Sequence, residues 1–323
     1  CTFRVGGADA ELLEKEFEAL LNREESEEHT TGIYSEQIAL LKEIINYGTN
    51  LFARCFSTSN RGYQEIVIIG ILLRHILTQI DAIEILLSKG SVYSAHLPLR
   101  SLFEAYVSLL YILKDDCLEK SKEYYAWYYR EKLKQAKIIS GTHSSSNKFY
   151  QDLKNFNEDF SKQINKLKDT AHEHITAYEN MLKGDRLLSI SEAYEKIEKK
   201  QRTKWYSLRN INSFYELTDK VNKRGLYYFL YSFTSSIMHA NEIDAQVEFK
   251  SDLLTIKPIR SLEQFTTVLN ASFSLAIDTY TKIIETYRRD ELDKFVANYI
   301  ESWRVIIGQS KKINYVHDNP VKI

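Results

Sequence analysis

The chain has 323 residues, 44% hydrophobic and 27% charged, with a net charge of −1. That length suffices for one large helical domain or two smaller ones. The near-neutral balance excludes nucleic-acid binding by bulk positive charge and leaves only a local basic groove open.

Glycine (11) and proline (3) are scarce, so loops are few or short and the turns of an all-β protein are missing. Cys1, Cys55 and Cys117 are odd in number and lack metal or redox spacing, which points to a reducing, cytoplasmic setting. The chain opens on Cys rather than Met, and CTFRVGGADA reads as a tag scar, a truncated end or a disordered lead.

Ala8–Glu25 carries a charged amphipathic helical pattern, and Glu24–His29 (EESEEH) reads as a polar link. Helical periodicity returns over Ser35–Phe56, with Ile38, Leu41, Ile44, Ile45, Leu51 and Phe52 inward. Ser57–Arg61 is expected to be a loop. Tyr63–Ser88 is the next helix, stopped by Lys89-Gly90. Its longest apolar run, Ile66–Leu73, is followed by Arg74, His75, Asp81 and Glu84, so a buried helix is expected and no membrane partner. A further helix follows Ser91 or Ser94, with Pro98 in its first turn or at a kink.

Asp115-Asp116 breaks that run, and Leu118–Ile139 resumes with a dense aromatic group. Ser140–Asn147 is the clearest loop. Lys148–Gln201 is polar, lysine-rich and amphipathic. Trp205–His239 regains core character. Two short alternating runs flanking Lys250-Ser251-Asp252 carry the pattern of a small β-hairpin near 245–257. Arg260–Tyr287 and Glu291–Ile307 close the set of helices. The expected fold class is all-α, a multi-helix bundle. Its expected organisation is a lead and amphipathic helix (1–33), the first half of a core bundle (34–140), a polar helical insertion (141–204), the second half (205–308) and a tail (309–323).

Arg100 and Glu104 stand one turn apart inside Leu97–Leu113, among apolar or small residues. A helix apolar nearly all round is a core helix, and a charged pair there costs desolvation and needs partners. Arg74, Thr78 and Asp81 form a polar stripe on the preceding helix, and the two stripes could meet in the core of an antiparallel pair. Such a network can be a site or only a device that fixes helix register.

Ser235 and His239 are also four apart. Without a strained Gly-x-Ser-x-Gly turn they are no hydrolase pair, so His239 reads as an acid/base group, a polar anchor for the Arg/Glu pair, or a satisfied core histidine. Tyr124, Tyr125, Trp127, Tyr128 and Tyr129 cannot all face one way, so packing is favoured over base stacking. No metal template and no phosphate-binding glycine loop is present, and no cofactor is expected.

The order Arg100-Ser-Leu-Phe-Glu104, then Trp205, then Ser235-x-x-x-His239 resembles an uncharacterised bacterial all-helical family of unknown function, over roughly residues 60–290. Some of its members resemble the HEPN (higher eukaryotes and prokaryotes nucleotide-binding) bundles and occur near phage-defence genes. The Arg-to-His spacing of HEPN ribonucleases is met only by Arg23 and His29, in an acidic segment, and is treated as accidental. The resemblance implies two readings. One is a ligand-sensing or assembly module of a defence or stress system, built around Arg100, Glu104 and His239 with Arg74, Asp81 and Ser235 in support. The other is a metal-independent ribonuclease in which Arg100 stabilises phosphate charge and His239 moves a proton. Homodimerisation and RNA are the partners these readings allow.

Overall fold

The computed structural model describes residues 21, 23–57, 63–197, 204–241, 243, 246–250, 253–310 and 321–322. Its elements are overwhelmingly helical. In chain order they begin with α1 (Arg23–Ser57), α2 (Tyr63–Ser88), α3 (Val92–Lys114) and α4 (Cys117–Ser140). Four shorter helices follow: α5 (Ser146–Phe156), α6 (Glu158–Lys166), α7 (Lys168–Lys183) and α8 (Leu188–Lys196). A 3-10 turn, Trp205–Arg209, leads to α9 (Phe214–Lys220). After a helical turn at Arg224–Leu226 come a π-helix, Tyr227–Ser232, and α10 (Phe233–Met238). The C-terminal part holds α11 (Phe265–Tyr287), α12 (Leu292–Asn298), a second π-helix (Tyr299–Trp303) and α13 (Arg304–Gly308).

The hairpin expected near 245–257 is present. β1 (Val247–Lys250) and β2 (Leu253–Ile256) pair antiparallel, with Val247 opposite Ile256, and the short β3 (Val321–Lys322) adds to β2. The fold is therefore an all-α multi-helix fold with this small sheet as an appendage.

The chain divides into two compact units: residues 1–60, 70–113 and 218–323 form the first, and 61–69 with 114–217 the second. In the first, Tyr34 stacks on Phe265 with ring centroids 4.0 Å apart, and the Tyr280 hydroxyl donates to the Ile44 carbonyl at 3.0 Å. A side chain at Gly48 would press on Tyr280 and Leu77, so this glycine is what lets α1 approach so closely. Trp303 is fully buried against Tyr47 and Phe295, and its Nε1 donates to Glu43 at 2.8 Å. The Tyr106 hydroxyl donates to Asp278, which also accepts from Lys223. The second unit has its own core of Ala126, Leu182, Leu187, Ile190 and Tyr194, flanked by Tyr125, Trp127 and Tyr129. Tyr124 packs on Trp205, and Arg209 grips Glu123 at 2.8 Å.

Several boundaries differ from the sequence expectation. The helix pattern over Ala8–Glu25 falls largely outside the described residues, as does most of the Ser57–Arg61 loop. Glu24–His29 is no link: α1 runs through it and bends at Tyr34 (φ −122°, ψ 17°). The stretch has neither Gly nor Pro, and its glutamates are good helix formers that favour a helix N-terminus. Pro98 lies inside α3 in the second turn, not the first. Residues 260–264 stay outside α11, where Gln264 adopts a left-handed φ of 62° as its N-cap.

By length and composition Glu65–Ser88 could cross a membrane, and half of that window is buried in the structure. Ile69, Leu73, Ile76, Ile80, Ile83 and Leu87 are all fully buried, so packing accounts for the apolarity of this helix.

Candidate functional site

α3 is held by a broad apolar face that includes Leu99, Leu102, Phe103, Tyr106 and Leu109. Its polar stripe is His96, Arg100 and Glu104, stacked at successive four-residue steps. Arg100 is only 8% exposed, and its Nε donates to Glu104 Oε1 at 3.1 Å. The guanidinium carbon lies 4.1 Å from the centroid of the Tyr231 ring.

Tyr231 stacks on Tyr227, centroids 4.9 Å apart and planes 22° from parallel. Both belong to the π-helix, a kind of turn that recurs at functional sites. Burial, then the Glu104 charge, pushes the Tyr231 hydroxyl above its usual range, against the opposing pull of Arg100. Arg100 Nη1 is buried without a hydrogen bond. The Glu104 side chain is 46% exposed. The pair is therefore closed at the guanidinium and open at the carboxylate.

Beside this stripe, His75 Nε2 and Ser101 Oγ are 2.8 Å apart. Burial lowers the His75 pKa, against the nearby charge of Glu104.

The other expected members are elsewhere. His239 caps the C-terminal end of α10 and is exposed, its backbone N–H donating to the Ser235 carbonyl at 3.1 Å. Among the described residues, no hydrogen bond, ion pair or ring contact joins its imidazole to Arg100, Glu104 or the Ser235 hydroxyl. The helix ends at Met238 and Ala240 turns left-handed (φ 54°), so the Ser235-to-His239 step is not a continued helical face. Arg74 and Asp81 are exposed, on the outer wall of α2 beside a shallow hollow with Thr49 and Phe52. Spacings of four and seven put them on one face, but the burial of Leu73, Ile76 and Ile80 turns that face away from the core. Arg74 and Asp81 thus give the Arg100 pair no support.

His96 opens a second environment. With Phe233 and Gln264 it lines a cavity of about 470 Å³ among α3, α10, β2 and the segment before α11. His96 is 4% exposed, and Phe233 meets its ring edge-on at 5.4 Å. Burial pushes its pKa down to about 4, against an opposing hydrogen bond with the Gln264 side chain. Nδ1 is buried with no hydrogen-bond partner, and an unsatisfied buried polar atom costs about 1–3 kcal/mol. Across the cavity Gln246 Nε2 donates to the Tyr93 hydroxyl at 3.4 Å, and Lys257 pairs with Glu263 at 2.9 Å. Among the described residues, no cluster of His, Cys, Asp or Glu could hold a metal ion.

The model of a family of unknown function, DUF5677, matches residues 65–252, more than half of the chain. The chain belongs to this family. No curated protein and no solved structure matches it. The DUF5677 match takes in His75, His96, Arg100, Glu104 and the π-helix, and ends before Lys257 and Gln264.

His96, His75 and Tyr231 are the site residues that sequence reasoning passed over. His96 was within reach: it is one turn before Arg100 on the same apolar helix. Tyr231 had no signal, because a π-helix leaves no simple period in the sequence.

Proposed function

We propose that this chain is a non-catalytic helical module that senses a small molecule, in the cavity beside His96, within a bacterial defence or stress response. The observation that carries the reading is the pairing of a sealed guanidinium with a separate, partly polar cavity. Arg100 is occupied by Glu104 and Tyr231, whereas the buried ring of His96, edge-on to Phe233, lines a ligand-sized space with glutamine side chains at Gln246 and Gln264. The defence or stress setting and a cytoplasmic location rest on the sequence pattern alone.

The test is a melting experiment on the full chain with fractionated small-molecule extracts, run beside a metal-free RNA-cleavage assay. A ligand that binds the folded state raises the melting temperature in proportion to its saturation. The expected result is a fraction that shifts melting and no RNA cleavage. Cleavage that disappears in both Arg100→Ala and His239→Ala would replace this reading with the ribonuclease one.

A further inference from the structure

We propose that the outer face of α2 pairs two copies of this chain, their α2 helices packed antiparallel about a two-fold axis at Thr78. No residue of this face lines the His96 cavity, so the pairing stands apart from the ligand-sensing reading.

The face consists of the residues that α2 leaves in solvent. Between Glu65 and Ser88 these are Ile71, Arg74, His75, Thr78, Asp81 and Ile85. Apart from His75, whose Nε2 is turned to Ser101, they follow alternating steps of three and four, the spacing of a seam along which helices pair. Ile71 and Ile85 are 50% and 54% exposed. Among the described residues, the side chains of Arg74 and Asp81 have no ion pair and no hydrogen bond. Arg74 is engaged only through its backbone carbonyl, which accepts from Thr78 Oγ1 at 3.0 Å.

The order of these residues selects the occupant. In an isologous interface residue i of one copy meets j of the other, and j meets i. From either end this face runs apolar, charged, Thr78, charged, apolar, with opposite charges at the two charged places. Ile71 and Ile85 lie equally far on either side of Thr78. Arg74 and Asp81 are centred half a residue away, about 0.75 Å along the axis. Antiparallel copies therefore set Arg74 against Asp81 of the second copy, twice, and Ile71 against its Ile85, twice. Parallel copies would set like charge on like. A foreign partner would need none of this symmetry.

Beside Thr78 the surface falls into a hollow of about 410 Å³ between α1 and α2, with Ile45, Phe52 and Leu77 in its lining. Arg74 and Asp81 border the same hollow. Aliphatic side chains of a second α2 would find apolar contact there, with the charge pairs at its margins.

Sedimentation equilibrium of the full chain reads this pairing. Wild type should show a monomer–dimer equilibrium. Arg74→Asp and Asp81→Arg each set like charges face to face at both contacts, and each should weaken the dimer about ten-fold or more. Mixing the two variants should restore it, because every charge contact between them joins opposite signs. Both positions are exposed, so melting should stay close to wild type. On mild oxidation Thr78→Cys should cross-link two copies beyond the wild-type background, since its symmetry mate lies across the axis. Ile71→Cys should not, because antiparallel packing holds the two copies of position 71 about 21 Å apart. A monomer at every concentration overturns the proposal. So does a dimer that the single reversals leave intact, or one that mixing does not restore. Cross-linking of Ile71→Cys as readily as Thr78→Cys would overturn the antiparallel arrangement.

Discussion

Replacing Glu104 should harm the fold more than replacing Arg100, although Arg100 is the more buried of the two. Glu104→Leu removes the carboxylate 3.1 Å from Nε and leaves a guanidinium that is 8% exposed without its counter-charge, against Tyr231. Breaking a buried pair this way costs about 3–5 kcal/mol, and the cation–π contact, present before and after the substitution, does not enter the difference. Arg100→Met gives up the same ion pair, but the stranded partner is now a carboxylate already 46% in water, so that term is about 0–1 kcal/mol. It also gives up the cation–π contact, and it removes the unsatisfied Nη1, which recovers about 1–3 kcal/mol. Methionine fills the space of the arginine stem. The net effect is within about 1 kcal/mol of zero. Urea titration with hydrogen exchange read over residues 92–114 reports the opening of the helix that carries the pair. If Arg100→Met proves costlier than Glu104→Leu, the guanidinium is held by something other than these two partners and the reasoning fails.

Gly48→Ala should lower the melting temperature, because the new Cβ would collide with the Tyr280 hydroxyl and lie 2.5 Å from Leu77 Cδ2. Overpacking of this kind costs about 1–3 kcal/mol, and unchanged melting would mean that α1 can shift away freely. Stability should fall as pH drops from about 6.5 toward 4. The depressed folded pKa of His96 means that the unfolded chain binds the proton first, a contribution of up to about 3 kcal/mol. The slope in that window should flatten in His96→Phe when unfolding is followed against pH. Cys55, buried and with its thiol pushed up to about 11 mainly by that burial, should react with iodoacetamide only when the protein opens. Labelling as fast as in urea would contradict that.

The helices were legible in the sequence wherever a regular apolar period met a clear stop. Tyr63–Ser88 ends as expected because Lys89-Gly90 supplies a left-handed residue, Gly90 with φ 67°. The hairpin was legible from its alternation alone. Orientation was not. Arg74, Thr78 and Asp81 share a face by spacing, yet nothing in the spacing says whether that face is turned inward. The Arg100–Glu104 contact is local and could be read; its Tyr231 lid comes from 131 positions away. His239 was misjudged because a helix was carried one residue too far, into its own cap.

The π-helix at Tyr227–Ser232 makes this part of the chain sensitive to phase. Each residue turns a helix by about 100°, so losing any one of these six would not shorten a connector. It would swing Phe233 and Ile237 off the cavity wall while Tyr231 left the guanidinium, and two unrelated environments would fail together. Substitutions in this stretch should be tolerated far more readily than insertions or deletions.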